Sequence, residues 1–174
     1  MNLILCGMMG SGKTTVGVKI AELTDRRWYD TDALIVEQYG NISDIFARYG
    51  EGYFRELETN VVKKLAEQDD LVISTGGGLV LKQENNDLLQ KTGKIIFLRA
   101  SIGTLLGRLQ ADNTRPLLQG SSESLQERLE RLMAERGPIY ERVADYVVDV
   151  DDQTPEELAR KIVALTGCEK IKGR

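Results

Sequence analysis

Short apolar runs alternate with longer stretches in which apolar residues recur every three or four positions. Leu3-Ile4-Leu5-Cys6, Leu71-Val72-Ile73-Ser74, Lys94-Ile95-Ile96-Phe97-Leu98 and Asp145-Tyr146-Val147-Val148-Asp149 predict buried strands, and Trp28-Tyr29 ahead of Asp30 is a candidate for a further short one. Between them lie helical stripes: Val16, Ile20 and Leu23; Phe54, Leu57, Val61 and Leu65; Leu125, Leu129, Leu132 and Met133. The last helix is marked at both ends. Thr154-Pro155-Glu156-Glu157 supplies an N-cap, a proline at the first helical position and a capping-box glutamate, and Gly167 stands where a C-terminal stop belongs. Such alternation predicts an α/β fold, a parallel sheet covered by helices on both faces, with ligands bound beyond the C-terminal strand ends.

One stretch departs from the pattern. Residues 110–124 are polar and contain Pro and Gly, with Arg108 and Arg115 at the start. A connection of that length in a compact domain is either a surface loop or a functional lid, and the arginines favour a lid at about 109–124. The chain, 174 residues, suits one domain with a full core, spanning 1–174.

The first strand runs into Gly7-Met8-Met9-Gly10-Ser11-Gly12-Lys13-Thr14, two glycines separated by four residues and followed by Lys-Thr. Strand before and amphipathic helix after are the setting of a phosphate-binding loop. The glycines let backbone N–H groups curl round an anionic phosphate chain, Lys13 can reach its outer phosphates, and the Thr14 hydroxyl can ligate Mg²⁺. The chain is therefore expected to bind a nucleoside triphosphate.

Charge and composition narrow the chemistry. The net charge is −4, which disfavours nucleic acid as the main partner. Cys6 and Cys168 are far apart in the chain and suggest reduced thiols rather than a disulfide frame or a zinc site. Met1-Asn2 opens straight into the first strand, leaving no room for a signal peptide, and no apolar run approaches the ~20 residues of a membrane helix. The expected compartment is the cytoplasm. Histidine is absent, so any proton acceptor is a carboxylate or, less favourably, a Lys, Tyr or Cys.

Four further groups could carry chemistry. Asp30-Thr31-Asp32 follows the phosphate loop by about twenty residues. Alternating positions at a strand end would aim two carboxylates into one crevice, one for Mg²⁺ through water and one for a hydroxyl proton. The plainer alternative is a solvated turn whose Asp caps the next helix. Glu51, Arg55 and Glu58 fall at i, i+4 and i+7, which by spacing alone fits a surface salt-bridge ladder better than an arginine clamp on a substrate carboxylate. Gly76-Gly77-Gly78 follows the Leu71–Ser74 strand at its C-terminal end and could bring backbone N–H groups close to a small polar molecule. Arg136 precedes Gly137-Pro138, where the proline should interrupt or end a long charged helix; it could turn toward the sheet or remain on the surface.

Taken together, residues 7–15, Asp30-Thr31-Asp32, Phe54-Arg55-Glu56-Leu57-Glu58, Gly76-Gly77-Gly78, Arg115-Pro116-Leu117-Leu118 and Arg136-Gly137-Pro138-Ile139-Tyr140 resemble the shikimate kinases, from first strand to last helix. The resemblance implies a three-layer α/β/α P-loop fold of nucleoside monophosphate kinase type, its five parallel strands ordered 2-3-1-4-5. It implies phosphorylation of the 3-hydroxyl of shikimate by ATP, with Mg²⁺, in the route to chorismate and the aromatic amino acids. Residue by residue, it implies that Gly10, Ser11, Gly12, Lys13, Thr14 and Thr15 hold the phosphates, and that Thr14 and Asp30 hold the metal. Asp32 would be the base, with Lys13 and Arg115 stabilising the transfer. Arg55, Gly76, Gly77, Gly78 and Arg136 would bind shikimate, and Arg108 and Gln153 would border the adenine. Gln153 stands where some relatives carry Arg. A kinase of another small acid, such as gluconate, would share the phosphate loop, but Arg55, the triple glycine and Arg136 argue against it. The expectation is a monomer without membrane or nucleic-acid partners.

Overall fold

The computed structural model describes residues 1–111 and 122–168. Five strands, β1 (Asn2–Cys6), β2 (Arg27–Asp30), β3 (Leu71–Ser74), β4 (Gly93–Arg99) and β5 (Tyr146–Asp149), form one parallel sheet in the order β2-β3-β1-β4-β5. Among the described residues, seven helices join and flank them: α1 (Lys13–Thr24), α2 (Thr31–Tyr39), α3 (Ile42–Ala66), α4 (Gln83–Thr92), α5 (Ile102–Ala111), α6 (Leu125–Val143) and α7 (Pro155–Thr166).

Position in the sheet explains the strength of each strand's pattern. β1 lies at the centre, with Leu3 paired to Val72 of β3 and to Lys94 of β4, and every residue from Asn2 to Cys6 is buried. A strand enclosed on both faces reads as a continuous apolar run. β2 is an edge strand with Arg27 exposed and the rest half-buried, so its sequence is mixed; β5, expected to be buried, is the other edge, and of its residues Val148 alone is buried. The helices pack as α1 with α7, α2 with α3, and α5 with α6, while α3, α4 and α6 meet round a short 3₁₀ turn at Leu79–Leu81. The expected stripes are core: Phe54, Leu57, Val61 and Leu65 are buried on α3, and Leu129 and Leu132 on α6. The final helix starts with the Thr154–Glu157 capping box and Pro155, and stops at Gly167 in the left-handed region. Among the described residues, no helix is long and apolar enough to cross a membrane.

Three expectations are corrected. Pro138 neither interrupts nor ends its helix; α6 runs through it to Val143. Buried Tyr140 and Val143 beyond the proline anchor the last turns, packing that offsets the lost backbone hydrogen bond. Gln110 and Ala111, placed in the polar connection, complete α5, whose Leu105 and Leu109 are buried. Asp32 is not an alternating strand-end position: Asp30 ends β2 and is the N-cap of α2, and Asp32 lies in the first helical turn. α3 contains its own break, since Gly50 at φ 83 separates a shorter N-terminal part from the segment carrying Arg55.

Candidate active site

The β1–α1 turn makes the floor of the site. Gly12 adopts φ 95 just before α1, a conformation that costs a glycine little, and no side chain caps the helix N-terminus. Gly7, at φ 143, would place a Cβ 2.7 Å from the Leu98 carbonyl oxygen, so the loop passes tight against β4. Lys13 Nζ donates to the carbonyl oxygens of Gly7 and Met8, both at 2.8 Å, which holds the ammonium over the loop. A cavity of about 300 Å³ opens here, lined in part by Gly10, Gly12, Lys13, Thr14, Thr15 and Asp30. Backbone N–H groups at a helix start, an ammonium and no acidic residue in the first turn make a donor set suited to an anion.

Asp30 serves two purposes. Its Oδ1 accepts from the backbone N–H groups of Asp32 (2.9 Å) and Ala33 (3.1 Å), while Oδ2 accepts from the Thr14 hydroxyl at 3.1 Å. The capping alternative and the functional one are thus the same residue. The cap turns the chain so that Asp32 lines the cavity with Thr14 and Asp30. Buried Thr31 accepts the Gly76 N–H on its hydroxyl at 2.9 Å, fixing β2's end against the glycine run. That N–H is consequently engaged inside the protein.

The three glycines of that run make room for three charged groups. A Cβ on Gly76 would lie 2.5 Å from Asp32 Oδ1, and one on Gly77 would lie 3.3 Å from Arg136 Nη1. A Cβ on Gly78 would collide with Arg55 Nη1 and sit 2.7 Å from its Cζ. None of the three glycines has a positive φ. Their function is the absence of a side chain rather than an unusual backbone.

Arg55 is held by Glu58 at 2.7 Å and Glu51 at 3.2 Å, with its Cζ 5.4 Å from the Phe54 ring centroid. The salt-bridge ladder exists, and it presents the arginine to Gly78. Burial opposes the guanidinium's charge, but Glu58 and Glu51 more than offset it and keep its pKa above the ordinary value. Glu58 is itself buried; desolvation raises its pKa, and Arg55 counters that only in part. Arg136 comes in from α6, turned toward the sheet rather than left on the surface.

On the other side of the phosphate loop, Arg108 and Gln153 line a second cavity of about 310 Å³ with Ser11, Gly12, Thr15 and Pro155. Arg108 Nη1 donates to the Gly10 carbonyl oxygen at 3.1 Å, and Gln153 Nε2 to that of Asp149 at 2.6 Å. The structure therefore brings together every expected site residue except Arg115, which with most of the expected lid lies outside the described residues. Sequence reasoning missed Thr31, Thr75, Met9 and Leu109 as part of the site. Thr31 carried a signal, sitting between the two aspartates; the others carry none that spacing could show.

Comparison with known proteins places the chain in a family. The family model described as shikimate kinase matches residues 9–166. The shikimate kinase of Caldicellulosiruptor bescii is 42% identical over 165 residues, covering 94% of each chain. That of Caldanaerobacter subterraneus is 41% identical over 174 residues, covering 99% of each. Among solved structures, shikimate kinase from Acinetobacter baumannii in complex with shikimate superposes with a TM-score of 0.88 at 37% identity, covering 98% of this chain and 95% of that one. A match of that identity over nearly the whole length, onto a sheet ordered β2-β3-β1-β4-β5, makes the chain a member of the shikimate kinase family, with that family's activity.

Proposed function

We propose that the cleft beyond the C-terminal ends of β1, β2 and β3 passes the γ-phosphoryl group of ATP to the 3-hydroxyl of shikimate, with the named residues in the following roles. One observation carries the assignment: three consecutive glycines at the rim of the phosphate-loop cavity face a carboxylate and two guanidinium groups. A small polyhydroxylated carboxylate needs that set, arginines for its charge and an acidic group for its reacting hydroxyl.

Arg55 and Arg136 bind the acceptor's carboxylate, and Glu58 and Glu51 keep the Arg55 fork oriented. Gly76, Gly77 and Gly78 leave room for Asp32, Arg136 and Arg55 to gather at the acceptor site. Asp32 takes the hydroxyl proton as the oxygen attacks the γ-phosphorus; the bond to the β-phosphate oxygen breaks and ADP leaves. Gly10, Ser11, Gly12, Thr14 and Thr15 cradle the phosphates, and Lys13 follows the charge that develops on them. Arg108 and Gln153 border the adenine across the second cavity. Arg115 is assigned to the transferring phosphoryl group by its place in the motif, and the segment bearing it to a lid that excludes water.

The hydroxyl of Thr14 beside the Asp30 carboxylate is an oxygen donor set that fits Mg²⁺, which Thr14 would hold directly and Asp30 through water. When bound, the ion supplies neutralisation of charge on the phosphate oxygens. We further infer that one chain, a single domain, is the active unit and that it works in the cytoplasm. Both cysteines are buried unpaired thiols, as a reducing compartment would leave them.

ADP release with Mg²⁺-ATP, compared for shikimate, quinate, gluconate and no acceptor, tests the reading. Turnover should depend on shikimate, and Asp32→Asn should lower kcat by roughly 10²- to 10⁴-fold while ATP binding persists. Near-normal turnover in Asp32→Asn would remove it as the base, and preference for another acid would overturn the acceptor pocket.

A further inference from the structure

Tyr140 is the largest fully buried side chain among the described residues. Its ring packs on Phe97 of β4, with centroids 5.1 Å apart. Its hydroxyl donates to the Gly77 carbonyl oxygen at 2.5 Å. A buried tyrosine hydroxyl needs an acceptor, and many backbone carbonyls would serve. This one belongs to the middle residue of a run that has no side chains with which to hold itself in place.

Three glycines in succession carry high conformational entropy, so backbone hydrogen bonds must fix the run. Thr31 holds the N–H of Gly76, and the 3₁₀ turn takes the carbonyls of Gly76 and Gly78 through Leu79 and Leu81, each at 3.1 Å. The Gly77 carbonyl is held from α6, by Tyr140. Arg136 is one turn earlier on the same helix face. Around the point where a Cβ of Gly77 would stand, Arg136 Nη1 lies at 3.3 Å, and Tyr140 Oη and the Gly7 carbonyl oxygen both at 3.7 Å. Gly7 O in turn accepts from Lys13 Nζ. The tyrosine thus stands where the acceptor arginine, the glycine run and the first residue of the phosphate loop converge.

We propose that Tyr140 is a positioning residue for phosphoryl transfer: by bonding the Gly77 carbonyl it fixes the glycine run against Arg136, and so fixes the seat of the acceptor carboxylate relative to the phosphate loop. The proposal rests on the assignment of Arg136 and Gly77 to the acceptor site. The hydroxyl acts through these two groups and does not itself touch the reacting atoms.

The test is Tyr140→Phe, which keeps the ring and removes the bond, assayed well below its Tm beside Phe97→Leu, which loosens the same packing but keeps the hydroxyl. Tyr140→Phe should raise the shikimate KM roughly three- to tenfold, the effect of one net hydrogen bond, and leave the ATP KM within twofold. Phe97→Leu should lower Tm with both KM values unchanged. A Tyr140→Phe enzyme that loses Tm but keeps its shikimate KM overturns the proposal. So does an equal rise in both KM values, or a Phe97→Leu enzyme with the same selective defect. Arg136→Ala separates the two layers: an unchanged shikimate KM there sinks the acceptor-site assignment and this proposal with it. A raised KM in Arg136→Ala beside an unchanged one in Tyr140→Phe sinks this proposal alone. If Tyr140→Phe does not fold, Gly77→Ala tests the fit of the glycine run to Arg136 directly, because its Cβ would stand 3.3 Å from Arg136 Nη1 and only in ordinary contact, at 3.7 Å, with Tyr140 Oη. An unchanged shikimate KM in Gly77→Ala overturns the proposal.

Discussion

Replacing Gly78 with alanine should do damage out of proportion to one methyl group. Its backbone, at φ −97 and ψ −4, suits any residue. At such a position Gly→Ala ordinarily stabilises a protein by about 0.4–1 kcal/mol, by restricting the unfolded chain. Here the new Cβ would collide with Arg55 Nη1 and lie 2.5 Å from Nη2. Non-bonded atoms settle at ~3.5–4.0 Å, so the guanidinium must retreat by roughly 1 Å. It is tethered to Glu58 at 2.7 Å and Glu51 at 3.2 Å, and Glu58 is 1% exposed, so weakening its bond strands a buried carboxylate. A hydrogen bond to a charged group contributes about 1.5–3 kcal/mol. We expect Gly78→Ala to lose about 1–2 kcal/mol in urea denaturation instead of gaining, and its shikimate KM to rise roughly 10- to 100-fold as the displaced arginine misses the carboxylate. The ATP KM should not move. Coupled measurement of ADP formation, with each substrate varied in turn, reads both constants. A variant with raised Tm and a shikimate KM within twofold of the parent would refute the reasoning, because Arg55 would then have moved without consequence.

Two further outcomes follow from other parts of the site. Asp30→Asn should keep the α2 cap, since Asn caps as well as Asp, and so keep stability within about 0.5 kcal/mol. It should nonetheless need several-fold more Mg²⁺ for half-maximal rate; a Mg²⁺ titration matching the parent would take Asp30 out of the metal site. At high pH the fold should weaken because burial pushes Tyr140 up from 10.0 to about 12 and Cys6 up from 9.0 to about 12. The unfolded chain ionises first, binds fewer protons than the native state from pH 9 upward, and is therefore favoured as pH rises toward 12. Tyr140 alone should account for about 2–3 kcal/mol of that loss, so urea denaturation of Tyr140→Phe should show a shallower decline above pH 10. A parallel decline in the two proteins would count against the assignment.

What could be read from the chain was whatever is local. The apolar runs of β1, β3 and β4 announced themselves because those strands are buried on both faces, whereas β2, at the edge, left only Trp28-Tyr29 as a trace. The capping box at Thr154 and the phosphate loop are contiguous signals, and both appear as expected. The rest of the site depends on distant residues meeting. Spacing could not decide whether Glu51-Arg55-Glu58 was a surface ladder or a clamp, because it is a ladder whose arginine happens to reach Gly78. The triple glycine is explained by Asp32, Arg136 and Arg55, none of them its sequence neighbour. Asp30 and Asp32 were expected at alternating strand positions, and the helix begun by Asp30 itself changed the geometry. Pro138 was expected to break α6, and it does not because Tyr140 and Val143 beyond it are anchored in the core.

The start of α1 differs from those of α6 and α7. Both of the latter open with a complete Ser or Thr capping box. α1 opens at Gly12 with no side-chain cap and no acidic residue in its first turn. A resident cap would add about 1 kcal/mol to the empty protein, but it would compete with the phosphates for the same N–H groups. The fold accordingly leaves part of its own stability to be supplied by its substrate. The nucleotide becomes a removable piece of secondary structure, and the enzyme should resist heat and proteolysis best when the cell is rich in what it consumes.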